Sequence, residues 1–200
     1  MRFRMSCQMI ATGLAAALAG CAGGDDRRAA ATPADDPGLA DGAAAAPPEA
    51  TRESDAASLL PNGRHPFPDV ITGGQPSTEQ LEAAAARGYR TIIDLRPAAE
   101  GGRSAEEAVR LGLRYVAIPV AGEDGLTDDN ARALATALGE AERPAIVHCA
   151  SGNRVGALFA LVAYRVEGRS AGEALEIGRA AGLTRLEPAV RERLGLPRSP

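Results

Sequence analysis

A cysteine and an arginine five positions after it are the residues of this chain whose types and spacing could carry chemistry. Four small or polar residues separate Cys149 from Arg154, and an apolar run from Val155 to Tyr164 follows. The short apolar run Ala145–Val147 before the cysteine predicts a buried strand, and the longer run predicts a helix. A strand, a tight loop and a helix N-terminus direct backbone N–H groups and the positive end of the helix dipole at one point. The sequence therefore predicts an anion-binding loop.

Cys149 could act as a nucleophile in such a loop. The helix dipole and the guanidinium of Arg154 both favour a thiolate, and the guanidinium offers a planar fork of donors for an oxyanion. The alternative is a small buried cysteine without reactivity, which is common in proteins. The other two cysteines, Cys7 and Cys21, lie in the N-terminal segment. We therefore predict no disulfide, and the two histidines with scattered carboxylates predict no metal site and no cofactor.

Four motifs carry a resemblance to a known family. They are GGQPS at Gly73–Ser77, IIDLRP at Ile92–Pro97, YVAIPV at Tyr115–Val120 and HCASGNR at His148–Arg154. Together they resemble the bacterial phosphatase-like family that occurs alone or fused to β-lactamase-fold hydrolases, over roughly residues 66–175.

The last motif is also similar to the signature loop of the tyrosine and dual-specificity phosphatases, in which His-Cys opens a phosphate-binding loop closed by Arg. Those enzymes place five residues between Cys and Arg, and a Ser or Thr usually follows the Arg. This chain has four residues at the first place and Val155 at the second.

The resemblance implies a cysteine-dependent phosphatase that hydrolyses phosphomonoesters, on proteins or small molecules, through a phosphocysteine intermediate. Cys149 would be the nucleophile, and His148 would orient the loop. Backbone N–H groups and the arginine would bind the phosphate, which assigns this role to Ala150, Ser151, Gly152, Asn153, Arg154 and Val155.

Phosphoryl transfer also needs a proton donor for the leaving oxygen. In the phosphatases that the chain resembles, an Asp on a mobile loop after a strand has this role. Asp124, in the loop after the predicted strand Leu113–Val120, lies at such a position, and Glu123 is the second choice. Both acids could equally be solvated loop residues. Asp94 and Arg96, at the end of a neighbouring strand, are expected to form an ion pair or a loop brace.

Two other functions remain open from the sequence. The short loop resembles that of the rhodanese-type sulfurtransferases, whose Cys carries a persulfide, and this chemistry would need no proton donor. The other possibility is a non-catalytic lipoprotein that keeps the scaffold and binds phosphate or sulfate. The formal charge of −4 and the lack of a basic run argue against nucleic acid as a partner.

The elements that must position these residues alternate between strands and helices. Besides Ala145–Val147, we predict strands at Asp69–Thr72, Thr91–Leu95 and Leu113–Val120, and helices that follow Ser77, Arg103, Thr127 and Arg154, with two more near residues 171–181 and 187–194. This alternation indicates an α/β fold with a mostly parallel sheet of about four strands and helices on both faces. The resemblance implies the three-layer fold of the protein tyrosine phosphatases, in which the ligand lies beyond the carboxyl ends of the strands.

The N-terminal part predicts secretion and a lipid anchor. Residues 1–21 combine two arginines with an apolar stretch too short to span a bilayer, and they end in Leu18–Cys21, which resembles the bacterial lipobox. We expect lipidation of Cys21, with an ordinary secretory signal as the alternative. Since Ala22 follows the cysteine, the resemblance implies an anchor at the cell envelope on the periplasmic side, with sorting to the outer membrane.

The remaining chain divides by composition. Residues 22–60 are rich in Ala, Gly, Pro and Asp and have few large apolar side chains, so they are expected to form a disordered tether. Residues 61–200 are expected to form the catalytic domain, which is long enough for one modest core.

Overall fold

The structure is a computed structural model that describes residues 55–100 and 104–197. The predicted signal segment, the predicted lipidation site Cys21 and most of the predicted tether lie outside the described residues. The last part of that tether is described: residues 55–59 are helical, and Leu59 and Leu60 are buried in the core. The folded domain therefore includes residues before 61, because these two leucines supply apolar surface that it buries.

A five-stranded sheet forms the centre of the domain. Its strands are β1 (Arg64–Phe67), β2 (Val70–Gly73), β3 (Thr91–Asp94), β4 (Arg114–Ala117) and β5 (Ala145–His148), in the order β1-β2-β5-β3-β4. The pairs β2–β5, β5–β3 and β3–β4 are parallel, which confirms the predicted mostly parallel sheet. The antiparallel edge strand β1 has no signal in the sequence, because it contains Pro66, which lacks a backbone N–H and is tolerated only at a sheet edge.

Helices connect the parallel strands and follow the last one. They are α1 (Thr78–Ala86), α2 (Ser104–Arg110), α3 (Asp128–Glu140), α4 (Asn153–Leu161), α5 (Ala171–Ala180) and α6 (Glu187–Arg193), and a π-helical turn, Val162–Val166, extends α4. Ser77 caps α1 in a capping box with Gln80, and the hydroxyl of Thr127 accepts from the N–H of Asn130 to cap α3. Within the described ranges, no helix is both long and apolar enough to cross a bilayer.

The helices cover both faces of the sheet, so the central strands are buried on both sides. On one face, helices α1 and α2 pack over the cluster that contains Ile71, Ile92 and Ile146; on the other, α3 to α6 pack over the cluster that contains Val70, Ile93 and Val147. Successive residues of each strand thus supply opposite clusters, as the period of two of a strand requires. This three-layer arrangement opens its carboxyl edge to ligands.

Candidate active site

The signature loop, residues 148–154, lies at the carboxyl edge of the sheet, where the central strand β5 ends. Strand β5 is paired on both sides, with β2 and β3, and helix α4 begins at Asn153. The loop is fastened to the segment after β2: the N–H of Cys149 donates to the carbonyl oxygen of Gly73 (3.2 Å), and Gly74 pairs with Ser151 in an isolated bridge. The most enclosed strand of the sheet therefore leads directly into the loop.

Gly152 gives the loop its shape. Its φ angle of 91° is left-handed, a conformation that costs residues with a side chain roughly 1–2 kcal/mol. A Cβ atom at this position would lie 3.4 Å from the backbone of Gly73, which is ordinary contact. The backbone conformation, rather than a lack of space, is therefore what requires glycine here.

Cys149 lies at the centre of this turn. It is unpaired, and only 1% of its surface is exposed. The N–H of Gly152 donates to its Sγ atom at 3.1 Å, and the N-terminus of α4 begins at the next residue. The sulfur therefore lies beside a backbone donor at the N-terminus of a helix.

Arg154, in the first turn of α4, donates to three oxygen atoms of two residues outside the loop. Its Nη1 and Nη2 atoms donate to the two carboxylate oxygens of Glu100 (2.7 and 2.6 Å), and Nη1 also donates to the carbonyl oxygen of Val120 (3.0 Å). The hydrogen bonds with Glu100 raise the pKa of Arg154, and the charge of Cys149 acts in the same direction. The hydrogen bonds from Arg154 in turn lower the pKa of Glu100.

The orientation of Arg154 leaves part of its guanidinium for a ligand. A guanidinium carries five N–H groups, and the three contacts with Glu100 and Val120 use both of Nη1 and one of Nη2. Among the described residues no protein oxygen accepts from Nε, and the remaining partner of the Arg154 side chain is the side chain of Cys149. The Nε–H and the second N–H of Nη2 form a parallel pair of donors, the geometry that binds an oxyanion through two hydrogen bonds.

Glu100 was not singled out by the sequence. It lies in a short 3-10 turn, Ala98–Glu100, within a polar loop that shows no periodicity or motif. Its partner Arg154 is 54 positions further along the chain. The one available signal is that both residues follow the carboxyl ends of adjacent strands, β3 and β5, which brings their loops to one edge of the sheet.

Asp94 and Arg96 form the buried ion pair that the sequence suggested. The Arg96 side chain donates to both carboxylate oxygens of Asp94 (2.7 Å for Nη2 to Oδ2), and the hydroxyl of Tyr115 donates to Oδ2 (3.0 Å). Burial alone would raise the pKa of Asp94, but the hydrogen bonds from Arg96 and the neighbouring charges lower it overall. Burial, followed by the charge of Asp94, raises the pKa of Tyr115 to about 12. This network braces the end of β3.

His148 is fully buried beside the ion pair. Its Nδ1 atom lies 3.4 Å from the carbonyl oxygen of Cys149, and its Nε2 atom lies 3.8 Å from Oδ2 of Asp94. Burial lowers the pKa of His148 to about 4, so the ring is neutral at physiological pH. A neutral ring enclosed under the loop suits an orienting role and not proton transfer to a ligand.

The loop that carries the proposed proton donor begins beside Arg154. Val120, which ends the segment after β4, contacts Arg154 through its carbonyl oxygen, so the loop and Cys149 are at the same edge of the sheet. Glu123 and Asp124 are exposed, and within the described ranges neither carboxylate has a hydrogen bond or an ion pair. The structure therefore places their loop at the same edge of the sheet as Cys149 and does not distinguish between the two acids.

The other side chains of the loop have structural contacts. The Oδ1 atom of Asn153 accepts from the N–H of Thr184 (2.9 Å), from the hydroxyl of Thr184 (3.1 Å) and from the N–H of Leu186 (3.2 Å). Val155 is fully buried in the core. Ala150 is exposed and Ser151 is partly exposed. The side chains of Asn153 and Val155 are therefore occupied by the fold, and their backbone N–H groups are what they could offer an anion in the loop.

The described residues contain no group of three or more His, Cys, Asp or Glu side chains arranged to hold a metal ion. The groups that the described residues bring to this edge of the sheet are a thiol, a guanidinium, backbone amides and loop carboxylates.

Comparison with protein families gives a match to the sequence model described as "Beta-lactamase hydrolase-like protein, phosphatase-like domain", over residues 64–165. A beta-lactamase hydrolase-like protein of Xylella fastidiosa is 39% identical over 120 residues, which cover 56% of this chain and 27% of that protein. One of Agrobacterium fabrum is 33% identical over 98 residues, covering 46% of this chain and 22% of that protein. The alignments thus span about a quarter of the length of these relatives.

Solved structures share the fold. A phosphatase candidate of Neisseria meningitidis is 25% identical, with a TM-score of 0.53, and the match covers 66% of this chain and 94% of that one. The active form of Tk-PTP is 22% identical, with a TM-score of 0.51, covering 67% of this chain and 96% of that one. These similarities confirm the predicted three-layer phosphatase fold.

Proposed function

The chain belongs to the phosphatase-like domain family of the beta-lactamase hydrolase-like proteins, and on this premise we propose that it hydrolyses phosphomonoesters with Cys149 as the nucleophile. One observation carries the proposal. The sulfur of Cys149, the N–H of Gly152 that donates to it and the guanidinium of Arg154 converge at the carboxyl edge of the sheet. This is a nucleophile inside an anion-binding loop.

The first step forms a bond between the sulfur and phosphorus and breaks the bond from phosphorus to the leaving oxygen. Backbone N–H groups of residues 150–155 and the Nε–Nη2 side of Arg154 stabilise the non-bridging oxygens as their charge grows. Asp124 gives its proton to the leaving oxygen, and Glu123 is the alternative donor. Without that proton the product would leave as a high-energy alkoxide or phenoxide.

The second step hydrolyses the phosphocysteine. The deprotonated acid takes a proton from water, water attacks phosphorus, and the thiolate leaves. The loop has Val155 where related phosphatases usually have a hydroxyl, so a hydroxyl cannot assist the departing sulfur. The N–H of Gly152, 3.1 Å from Sγ, is in position to stabilise the thiolate instead.

Glu100 has a supporting role in this proposal. By pairing with one side of Arg154, it turns the other side of the guanidinium toward the ligand. Its carboxylate also reduces the net positive charge of the site, so affinity for phosphate would come mainly from geometry.

The location of the protein remains a proposal as well. Lipidation of Cys21 would hold the domain at the cell envelope, and residues 22–54 would separate it from the membrane. Substrates in that compartment would be phosphorylated proteins or small phosphomonoesters.

Hydrolysis of an aryl phosphate by the reduced full chain tests the proposal, with Cys149→Ser as the matched variant. We expect turnover in the wild type that is abolished in the variant. The four-residue spacing between Cys149 and Arg154 favours one alternative, sulfur transfer through a persulfide on Cys149. Thiosulfate-to-cyanide turnover without phosphatase activity would support that alternative. Phosphate binding that survives Cys149→Ser, without either activity, would indicate an anion-binding protein.

A further inference from the structure

An arginine of the C-terminal helix holds the loop that carries Asp124. Arg193, the last residue of α6, donates from Nη2 to the carbonyl oxygen of Glu123 (2.7 Å) and from Nε to that of Leu126 (2.9 Å). The carbonyl of Glu123 belongs to the peptide group that joins it to Asp124. One donor of the guanidinium therefore holds the peptide group just before Asp124, and the neighbouring donor holds the backbone two residues after Asp124.

The Asp124 carboxylate has no contact of its own in the described ranges, so the region that it can reach depends on the backbone that carries it. Inside the loop, the N–H of Gly125 donates to the carbonyl of Ala121 (3.1 Å). From α3, the side chain of Asn130 donates to the carbonyl of Gly125 (2.8 Å). Together with Arg193, these contacts hold the loop from both of its sides.

Arg193 is itself held in place by hydrogen bonds of its side chain and its backbone. Its Nη1 atom donates to the carbonyl of Ala189 one turn earlier (3.2 Å), and its own carbonyl accepts from Nη2 of Arg165 (3.0 Å). Ala189 and Val190 of α6 are buried in the same core cluster as Cys149. The loop and the nucleophile are therefore fixed to one packed unit.

We infer that Arg193 is a positioning residue for the proton donor: it holds the backbone of the loop that carries Asp124. The inference rests on the proposed phosphatase reaction and on Asp124 as the donor. A guanidinium suits this role because its planar fork reaches two carbonyl oxygens at fixed angles, whereas the ammonium of a lysine is a single point with rotating donors.

The test compares Arg193→Ala and Arg193→Lys with Arg191→Ala in the full chain. Arg191 is a matched control, since it lies on the same helix but donates to Pro197 and pairs with Glu187, away from the loop. The readout is kcat/KM for dinitrophenyl phosphate, whose leaving group needs no proton, and for phenyl phosphate, whose leaving group does. Asp124→Asn is measured in parallel.

Positioned acids contribute factors of hundreds or more, and small misplacements lose much of that. We expect Arg193→Ala to lose about 10-fold or more on phenyl phosphate and less than about 2-fold on dinitrophenyl phosphate. Arg193→Lys should lie between wild type and Arg193→Ala, and Arg191→Ala should match wild type. Amide hydrogen exchange of residues 121–126 should accelerate in Arg193→Ala and not in Arg191→Ala.

Equal losses on both substrates, or unchanged exchange in the loop, would overturn the inference. Its failure is distinguishable from that of its premises. An inactive wild type would contradict the proposed function, and an active wild type with equal losses in Asp124→Asn would contradict the donor assignment. A leaving-group dependence in Asp124→Asn that is absent in Arg193→Ala would contradict the role of Arg193 alone.

Discussion

Glu100 provides a prediction whose sign depends on the geometry of Arg154. If Glu100 merely occupies the guanidinium, its removal should free Arg154 for phosphate and raise activity. The arrangement of donors indicates the opposite, because Glu100 uses only the Nη1–Nη2 end and leaves the Nε–Nη2 side for the ligand. Removing the carboxylate would let this side turn away. We therefore expect Glu100→Ala to lower kcat/KM.

The expected size follows from the exposure of the pair. A hydrogen bond to a charged group contributes about 1.5–3 kcal/mol when well shielded. The side chain of Glu100 is 40% exposed and that of Arg154 is 12% exposed, so solvent screens part of the interaction. We expect a loss of about 1–2 kcal/mol in transition-state stabilisation, or about 5- to 30-fold in kcat/KM. Glu100→Gln keeps one acceptor oxygen and should lose less.

The assay is aryl phosphate hydrolysis by the reduced protein, together with the inhibition constant of inorganic phosphate. Glu140→Gln is a suitable control, since Glu140 pairs with Arg114, which begins β4 and so lies at the opposite edge of the sheet. This variant should behave as wild type. A rise in kcat/KM in Glu100→Gln, with tighter phosphate binding, would refute the positioning role and would show that Glu100 competes with the substrate.

Two further predictions concern stability. His148 takes up a proton near pH 6.5 when unfolded, but burial lowers its pKa in the folded protein to about 4. The contribution of His148 to the free energy of unfolding is therefore complete above pH 6.5 and should fall by about 3 kcal/mol as the pH drops toward 4. Urea unfolding of His148→Asn should lack this part of the fall. The same fall in the variant would contradict the assignment to His148. Asn153→Ala removes one acceptor from three donors, so its free energy of unfolding should be lower by about 1–3 kcal/mol, whereas Asn153→Asp keeps the acceptor and should lose less. Equal stability of Asn153→Ala and wild type would show that the link to Thr184 contributes nothing.

The sequence predicts those parts of the structure whose signals are local. The capping residues Ser77 and Thr127 start helices where expected, since a cap and its partner are only three positions apart. The strand and helix around Cys149 follow from short apolar runs on either side of a glycine-containing loop. The parallel sheet follows from the alternation of such elements.

The sequence does not reveal contacts between distant segments. Glu100 meets Arg154 across 54 positions, and Arg193 meets the carbonyl of Glu123 across 70. Glu100 and Arg193 belong to charged residue types that are usually exposed, and they lie in segments without a motif. A contact with a backbone carbonyl group cannot be recognised from the residue type of the partner. Leu59 and Leu60 also escaped the prediction, because the composition that precedes them suggests a tether and only packing shows that they belong to the core.

In the proposed mechanism, Cys149 carries the phosphoryl group during turnover. The most direct measurement is mass spectrometry of peptides from the reduced protein, acid-quenched while it hydrolyses an aryl phosphate. We expect one phosphoryl group on the peptide with Cys149, attached to sulfur, and neither adduct nor turnover in Cys149→Ser. Turnover that persists in Cys149→Ser, or that proceeds with the phosphoryl group on another residue, would contradict it.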